Sequence, residues 1–306
     1  MGFKVHVNDP LDKKATARLE AIKGVQVTAE HFEPEELKQR LGEYDVLVIR
    51  SATKAKRDII EAGTNLKIIA RAGTGLDNVD TVAAAEKGIM VINTPGANAI
   101  SVAELAIGLL LGLFRHIPRG TAGIKEGKWE KKALKGHEIF GKTVGVVGFG
   151  AIGREVARRL LAFGCNILAY DVVQDAAGLD VQFVSLEELY SRADILTFHT
   201  PLIDATRHIF NHDSLEHLKP GVFVVHAARG GVVNEQALFD GLQSGKIAGA
   251  ALDVFEVEPP TDELRQKLIA LDNVIATPHV GASTSEAQAR VGMDIVERLE
   301  KALQSL

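Results

Sequence analysis

The chain has 306 residues, enough for two ordinary domains, and 46% of them are hydrophobic, as a well-packed globule requires. A net charge of −5 supplies no field to draw it onto nucleic acid or an anionic membrane, so neither is an expected partner. The lone cysteine, Cys165, excludes an intramolecular disulfide, and the longest apolar stretch, residues 102–114, is broken by Glu104 and too short for a membrane span.

Residues 1–9 lead into a strand pattern at 4–8 without the apolar core and cleavage site of a secretion signal, so a cytoplasmic location is expected. Further β-rich runs at 25–28, 46–49, 66–71 and 90–93 alternate with helical spacing at 12–22 and 34–41. That rhythm predicts a parallel sheet covered by helices, a small flavodoxin-like α/β domain. Residues 99–115 are then apolar on nearly every face, which demands burial all round. They form either a core helix or a subunit contact, and a homodimer through this helix and the domain after it is expected.

A second series of strands follows at 143–148, 166–171, 195–199, 222–227, 249–253 and 274–276. These six make a doubly wound Rossmann sheet for a dinucleotide. Residues 285–303 read as an amphipathic helix behind a start rich in capping residues. No strand remains for it to serve in the second sheet, so it is expected to return to the first domain. The predicted division is 1–97 plus 281–306 for substrate binding and 98–280 for the cofactor, with two crossings on one side of a cleft.

Gly148-Phe149-Gly150-Ala151-Ile152-Gly153 follows a strand and opens a helix, the context that makes a glycine-rich turn a nucleotide site. Gly148 allows the turn, Gly150 lets the backbone approach a pyrophosphate, and Gly153 permits close helix packing. The first turn, with Ala151 and Ile152, presents N–H groups to the phosphates. Asp171 ends the next strand, where a carboxylate accepts ribose hydroxyls and repels a 2′-phosphate, so the expected cofactor is NAD.

Three segments fall at carboxyl ends of later strands: His226-Ala-Ala-Arg229-Gly-Gly, Asp253-Val-Phe-Glu256-Val-Glu258-Pro, and Thr277-Pro-His279-Val-Gly. An arginine, a carboxylate and a histidine are what transfer of a hydride to or from a 2-hydroxy acid needs. The histidine moves the hydroxyl proton, the carboxylate holds the imidazolium, and the arginine binds the substrate carboxylate. Spacing alone does not decide between Glu256 and Glu258. No His/Cys cluster points to a metal. His6, His137, His208, His212 and His217 read as surface or packing residues.

These segments, with Arg71-Ala-Gly-Thr-Gly-Leu-Asp-Asn-Val-Asp80, Asn93-Thr-Pro-Gly96, His199-Thr-Pro201 and Ala251-Leu-Asp-Val-Phe255, resemble the signature stretches of the D-isomer-specific 2-hydroxyacid dehydrogenase family. The match runs from about residue 45 to the end and is strongest to the phosphoglycerate-oxidising branch, in a short form without a C-terminal regulatory domain. The resemblance implies Arg229, Glu258 and His279 as the catalytic residues, Glu258 being preferred for its place before Pro259. It implies that Asp253 meets the nicotinamide carboxamide and that His199, Thr200, Pro201, Ala227 and Ala282 line the cofactor. It also implies that N–H groups around Ala72, Gly73 and Thr74 receive the substrate carboxylate.

Arg50, with Lys54 nearby, and Arg71 suit a phosphate at the edge of the first domain. The expected reaction is oxidation of 3-phosphoglycerate to 3-phosphohydroxypyruvate, the entry to serine biosynthesis, with reduction of glyoxylate, hydroxypyruvate or D-lactate as the alternative. Lys128, Lys131 and Lys132, beside Trp129, read as a solvated face or a reach toward a neighbouring subunit. A remote alternative is an NAD-sensing corepressor, which would carry a peptide groove and disordered tails.

Overall fold

Runs of valine, isoleucine and leucine bounded by glycines and capping residues set the alternation along the chain. The computed structural model describes residues 2–306. It begins β1 (Phe3–Val7), α1 (Lys13–Glu20), β2 (Val25–Ala29), α2 (Pro34–Arg40), β3 (Val46–Ile49), α3 (Arg57–Ala62), β4 (Ile68–Arg71), α4 (Thr81–Glu86) and β5 (Met90–Asn93). Helices α5 (Ala99–Phe114) and α6 (Ile117–Lys125) lead to β6 (Thr143–Val147), α7 (Ala151–Ala162), β7 (Asn166–Tyr170) and β8 (Gln182–Phe183). Then come α8 (Leu186–Arg192), β9 (Ile195–Phe198), α9 (His212–His217), β10 (Val222–His226), α10 (Glu235–Gln243) and β11 (Ile247–Leu252). The chain closes with α11 (Glu263–Ile269), β12 (Val274–Ala276) and α12 (Ser285–Gln304).

Two compact units result, one from the residues up to Asn98 together with Ala282–Leu306, the other from Ala99–Gly281. The first holds five parallel strands in the order β2-β1-β3-β4-β5. In β3, Val46 and Val48 join the core that α1 and α12 cover, while Leu47 and Ile49 join the opposite core under α2, α3 and α4. A strand buried on both faces must read as one apolar run, and this one does. α12 packs on α1 so closely that a Cβ on Gly292 would lie 2.8 Å from Ala15 Cβ, and Arg18 pairs with Glu300 across the contact.

The second unit holds seven parallel strands in the order β12-β11-β10-β9-β6-β7-β8. The sequence predicts six. The seventh, β8, is two residues long and pairs at the edge with Leu168 and Ala169, too short for any periodicity to announce it. α5 lies in the core of this unit, with Ala103, Ala106, Leu110 and Phe114 at most 3% exposed beneath α7 and the sheet. Its apolar circumference is thus covered largely within its own unit. Among the described residues no single helix is long and apolar enough to cross a membrane.

Candidate active site

After β6 the backbone turns through Gly148 at φ 92°, a conformation that only glycine adopts cheaply. A Cβ on Gly153 would lie 2.1 Å from the Gly148 carbonyl oxygen, so the start of α7 seats directly on the turn. Gly150 differs, because its backbone is extended and a Cβ there would meet nothing within 4 Å. The space in front of it is open.

α7 lacks a side-chain cap, whereas α1, α4, α8, α9, α10, α11 and α12 all have one. The N–H groups of Gly150, Ala151 and Ile152 therefore have no partner among the described residues and sit at the positive end of a 12-residue helix. A pyrophosphate fits this cradle in shape and charge. Asp171, just after β7, accepts from Phe149 N–H at 2.6 Å and Val173 N–H at 2.9 Å, which braces the turn and leaves further lone pairs for a ligand. Thr200 Oγ1 and His199 Nδ1 are buried without a partner, and the His199 main chain packs against Gly148. Orphaned polar atoms beside an uncapped helix are what a dinucleotide site leaves when described alone.

Arg229, Glu258 and His279 stand on the loops that follow β10, β11 and β12, three adjacent strands. His279 Nδ1 lies 2.9 Å from Glu258 Oε2, and Nε2 has no hydrogen-bond partner among the described residues. Glu258 Oε1 also accepts from Phe255 N–H at 3.1 Å. Burial pushes the Glu258 carboxyl up. The hydrogen bond from His279, the Phe255 N–H and the charges of His279 and Arg229 outweigh burial and hold it below its ordinary value. Arg229 Nη1 donates to the Ala228 carbonyl at 2.7 Å.

The structure separates the two glutamates. Glu256 is engaged by His208 Nε2 at 3.0 Å and by Arg265 at 3.4 Å, while Glu258 meets His279. A cavity of about 420 Å³ adjoins the pair, walled by Phe255, Pro259, Ile269 and Pro278 with Glu258 and His279 themselves.

Asp253 is 1% exposed, and its carboxylate serves the chain first. Oδ1 accepts from Thr277 Oγ1 at 2.6 Å and Val280 N–H at 2.9 Å, and Oδ2 from Gly281 N–H at 2.9 Å. These donors flank His279, which sits on left-handed backbone at φ 52°, so Asp253 holds the loop in a conformation of raised energy. One lone pair of Oδ2 stays available. His226, at the end of β10, had no role in the sequence reading. It is 2% exposed, and burial, outweighing the Arg229 main chain and the Glu258 charge, pushes it down to about 4, so it is neutral at pH 7. Ala227 is buried just after it, and Ala282 is exposed where the chain returns to the first unit.

In the first unit, Arg71 pairs in register with Ile49, and Arg50 follows Ile49, so two arginines leave adjacent strands at one sheet edge. The Arg71 guanidinium lies over Gly73, where a Cβ would sit 1.5 Å from Nη1. One expectation needs correction. Ala72 N–H donates to the Ile49 carbonyl at 2.8 Å and is not available to a substrate, because the parallel ladder extends one residue past β4. The N–H groups of Gly73 and Thr74 carry no such bond. Thr74 Oγ1 is held by Asn98 Oδ1 at 2.8 Å.

Sequence reasoning also missed the support beneath Arg50. Buried Asp9 accepts from Arg50 N–H at 2.6 Å, Thr53 N–H at 3.0 Å and Thr53 Oγ1 at 2.6 Å, and Asn8 donates to Thr53 at 2.7 Å. Asp9-Pro10 after a strand was the available signal. The Arg50 guanidinium donates to the Pro10 carbonyl at 3.3 Å, and Lys54 is exposed. Trp129 is 81% exposed beside exposed Lys131 and Lys132. Among the described residues no group of three His, Cys, Asp or Glu could hold a metal ion.

Comparison with known proteins matches residues 107–281 to the NAD-binding domain of the D-isomer specific 2-hydroxyacid dehydrogenases. The hydroxypyruvate reductase of Thermotoga maritima is 58% identical over 98% of both chains. The D-3-phosphoglycerate dehydrogenase of Methanocaldococcus jannaschii is 48% identical over 98% of this chain, which spans 57% of that protein's length. The crystal structure of a glyoxylate reductase from Paecilomyes thermophila superimposes with a TM-score of 0.88 at 30% identity, covering 99% of this chain and 96% of the other. With an NAD-binding domain matched over more than half its residues and relatives aligned from end to end, the chain belongs to the D-isomer specific 2-hydroxyacid dehydrogenase family.

Proposed function

We propose that this NAD-dependent dehydrogenase works on a three-carbon D-2-hydroxy acid bearing oxygen at C3, with 3-phosphoglycerate and 3-phosphohydroxypyruvate as its preferred pair. The observation that carries the reading is the 2.9 Å bond from His279 Nδ1 to Glu258, which leaves Nε2 as the one ring nitrogen able to exchange a proton with substrate. His279 removes the C2 hydroxyl proton during oxidation and returns it during reduction. Glu258 fixes the ring and stabilises its protonated form, and Arg229 grips the substrate carboxylate and polarises the C2 oxygen.

NAD bound here would supply the hydride acceptor and donor for C2. Gly148, Gly150, Ala151, Ile152 and Gly153 would hold its pyrophosphate and Asp171 its adenosine ribose. His199, Thr200, Pro201, Ala227 and Ala282 would line the rest, with the open lone pair of Asp253 on the carboxamide. The first unit would supply anion binding: the N–H groups of Gly73 and Thr74 for the carboxylate, Arg50 and Arg71 for the phosphate. Support for the phosphate comes from the register that sets the two arginines on adjacent strand ends.

A second reading, hydroxypyruvate without phosphate, is favoured by the Thermotoga relative of nearly equal length. A panel of phosphoglycerate, glycerate, lactate and their 2-oxo acids, followed by NADH absorbance, separates the two. Under the first reading Arg50→Ala loses selectivity for the phosphorylated acid. If Arg50→Ala leaves kcat/KM for phosphoglycerate unchanged, or the wild type prefers glycerate, the phosphate assignment fails. The same reading puts the reaction in the cytoplasm, at the entry to serine formation, in a homodimer that light scattering can test.

A further inference from the structure

The loop between β11 and α11 carries Glu258, and several of its polar anchors converge on one side chain outside the acid–base pair. Arg265, on α11, is 8% exposed and surrounded by three carboxylates. Its Nε lies 2.6 Å from Glu235 of α10, Nη1 2.6 Å from Asp262, and Nη2 3.4 Å from Glu256. Glu235, itself 4% exposed, accepts from Glu256 N–H at 2.7 Å. On its other oxygen Glu256 meets His208 at 3.0 Å.

Arg265 thus pins the peptide between Phe255 and Glu256 from two directions. That peptide and the one before it both bear on the site. The Phe255 N–H holds the Glu258 carboxylate at 3.1 Å. The Phe255–Glu256 peptide itself lies on Gly230, where a Cβ would come within 1.9 Å of the Phe255 carbonyl oxygen, next to Arg229. We infer that Arg265 is a positioning residue: through Glu235 and Glu256 it sets the loop so that Glu258 meets His279 and Gly230 seats beside it. A planar guanidinium with donors on three sides can bridge three carboxylates, whereas a lysine ammonium at the end of a flexible stem cannot hold the same fork. The inference rests on the acid–base reading of Glu258 and His279.

Glu256→Gln is the first test, because Glu256 lies at the rim of the cluster and its amide isostere keeps the volume. Arg265→Lys is the second, since it retains a positive charge for buried Glu235. Both are measured as the NAD-bound enzyme with saturating hydroxy acid, beside Glu258→Gln and His279→Ala. We expect each variant to fold, to keep its KM for NAD, and to lose about 10- to 100-fold in kcat, the scale of a misplaced catalytic group. The pH–rate midpoint should move toward acid, in the same direction expected of Glu258→Gln, which takes the carboxylate from the imidazole. In the Glu258→Gln background, Glu256→Gln should cost nothing further, because its effect runs through Glu258.

A wild-type kcat and pH–rate midpoint in both folded variants overturns the inference. So does an undiminished penalty in the Glu258→Gln background. Near-normal turnover of His279→Ala would instead break the acid–base reading. An inactive His279→Ala alongside normal Glu256→Gln and Arg265→Lys would break only the role of Arg265.

Discussion

Replacing Asp253 by asparagine changes one buried atom and tests how the site is held together. The carboxylate takes three donors, from Thr277 Oγ1, Val280 N–H and Gly281 N–H, and is 1% exposed. Asparagine has a single acceptor oxygen. If that oxygen keeps the two donors on Oδ1, the amide nitrogen faces Gly281 N–H, donor against donor. A hydrogen bond to a charged acceptor contributes about 1.5–3 kcal/mol, and the orphaned N–H adds a desolvation cost. The expected loss for Asp253→Asn is therefore about 2–4 kcal/mol, visible as a lower urea midpoint of the apoprotein.

His279 should suffer with it, since its left-handed φ of 52° is held by the donors on either side. A fall in kcat of about 10-fold or more is expected even at saturating NAD and at temperatures where the variant is fully folded. Measuring stability without cofactor separates this structural task from any contact with nicotinamide. An apoprotein as stable as wild type, with unchanged kcat, would refute the reasoning.

Gly150→Val should leave stability unchanged, because a Cβ there meets nothing within 4 Å, yet weaken NAD binding at least tenfold by calorimetry, since the new side chain fills the pyrophosphate space. Asp171→Ser should erode the preference for NAD over NADP, read as the ratio of kcat/KM values, by removing the charge that repels a 2′-phosphate. His226 is neutral when folded and pushed from 6.5 down to about 4. Below pH 6.5 the unfolded chain takes up a proton that the folded chain refuses, so stability is lost as pH falls from 6.5 toward 4. The full loss is about 3–4 kcal/mol at 1.4 kcal/mol per unit, and His226→Asn should flatten the slope of urea midpoints over that window.

Both parallel sheets were legible in the sequence because their central strands are buried on two faces, so that β3 reads as an unbroken apolar run and β6 is apolar after Thr143. The glycine turn was legible because each glycine answers a local geometric demand within a few residues. What escaped depends on contacts distant in sequence. Glu256 and Glu258 are two residues apart with the same charge, and only the approach of His208 and Arg265 to one and His279 to the other distinguishes them. Asp9 lies just past the first strand, and its task under Arg50 appears only when β1 and β3 pair. The commitment of Ala72 N–H to Ile49 follows from ladder register, which periodicity does not encode.

The central claim is that a carboxylate-held imidazole moves the proton while NAD takes the hydride. The most direct measurement is single-turnover NADH formation by His279→Gln with NAD and the preferred D-hydroxy acid both saturating. The account predicts NAD affinity within a few-fold of wild type and a rate lower by about 10²–10⁴-fold. A variant that binds NAD normally and forms NADH at the wild-type rate would contradict it.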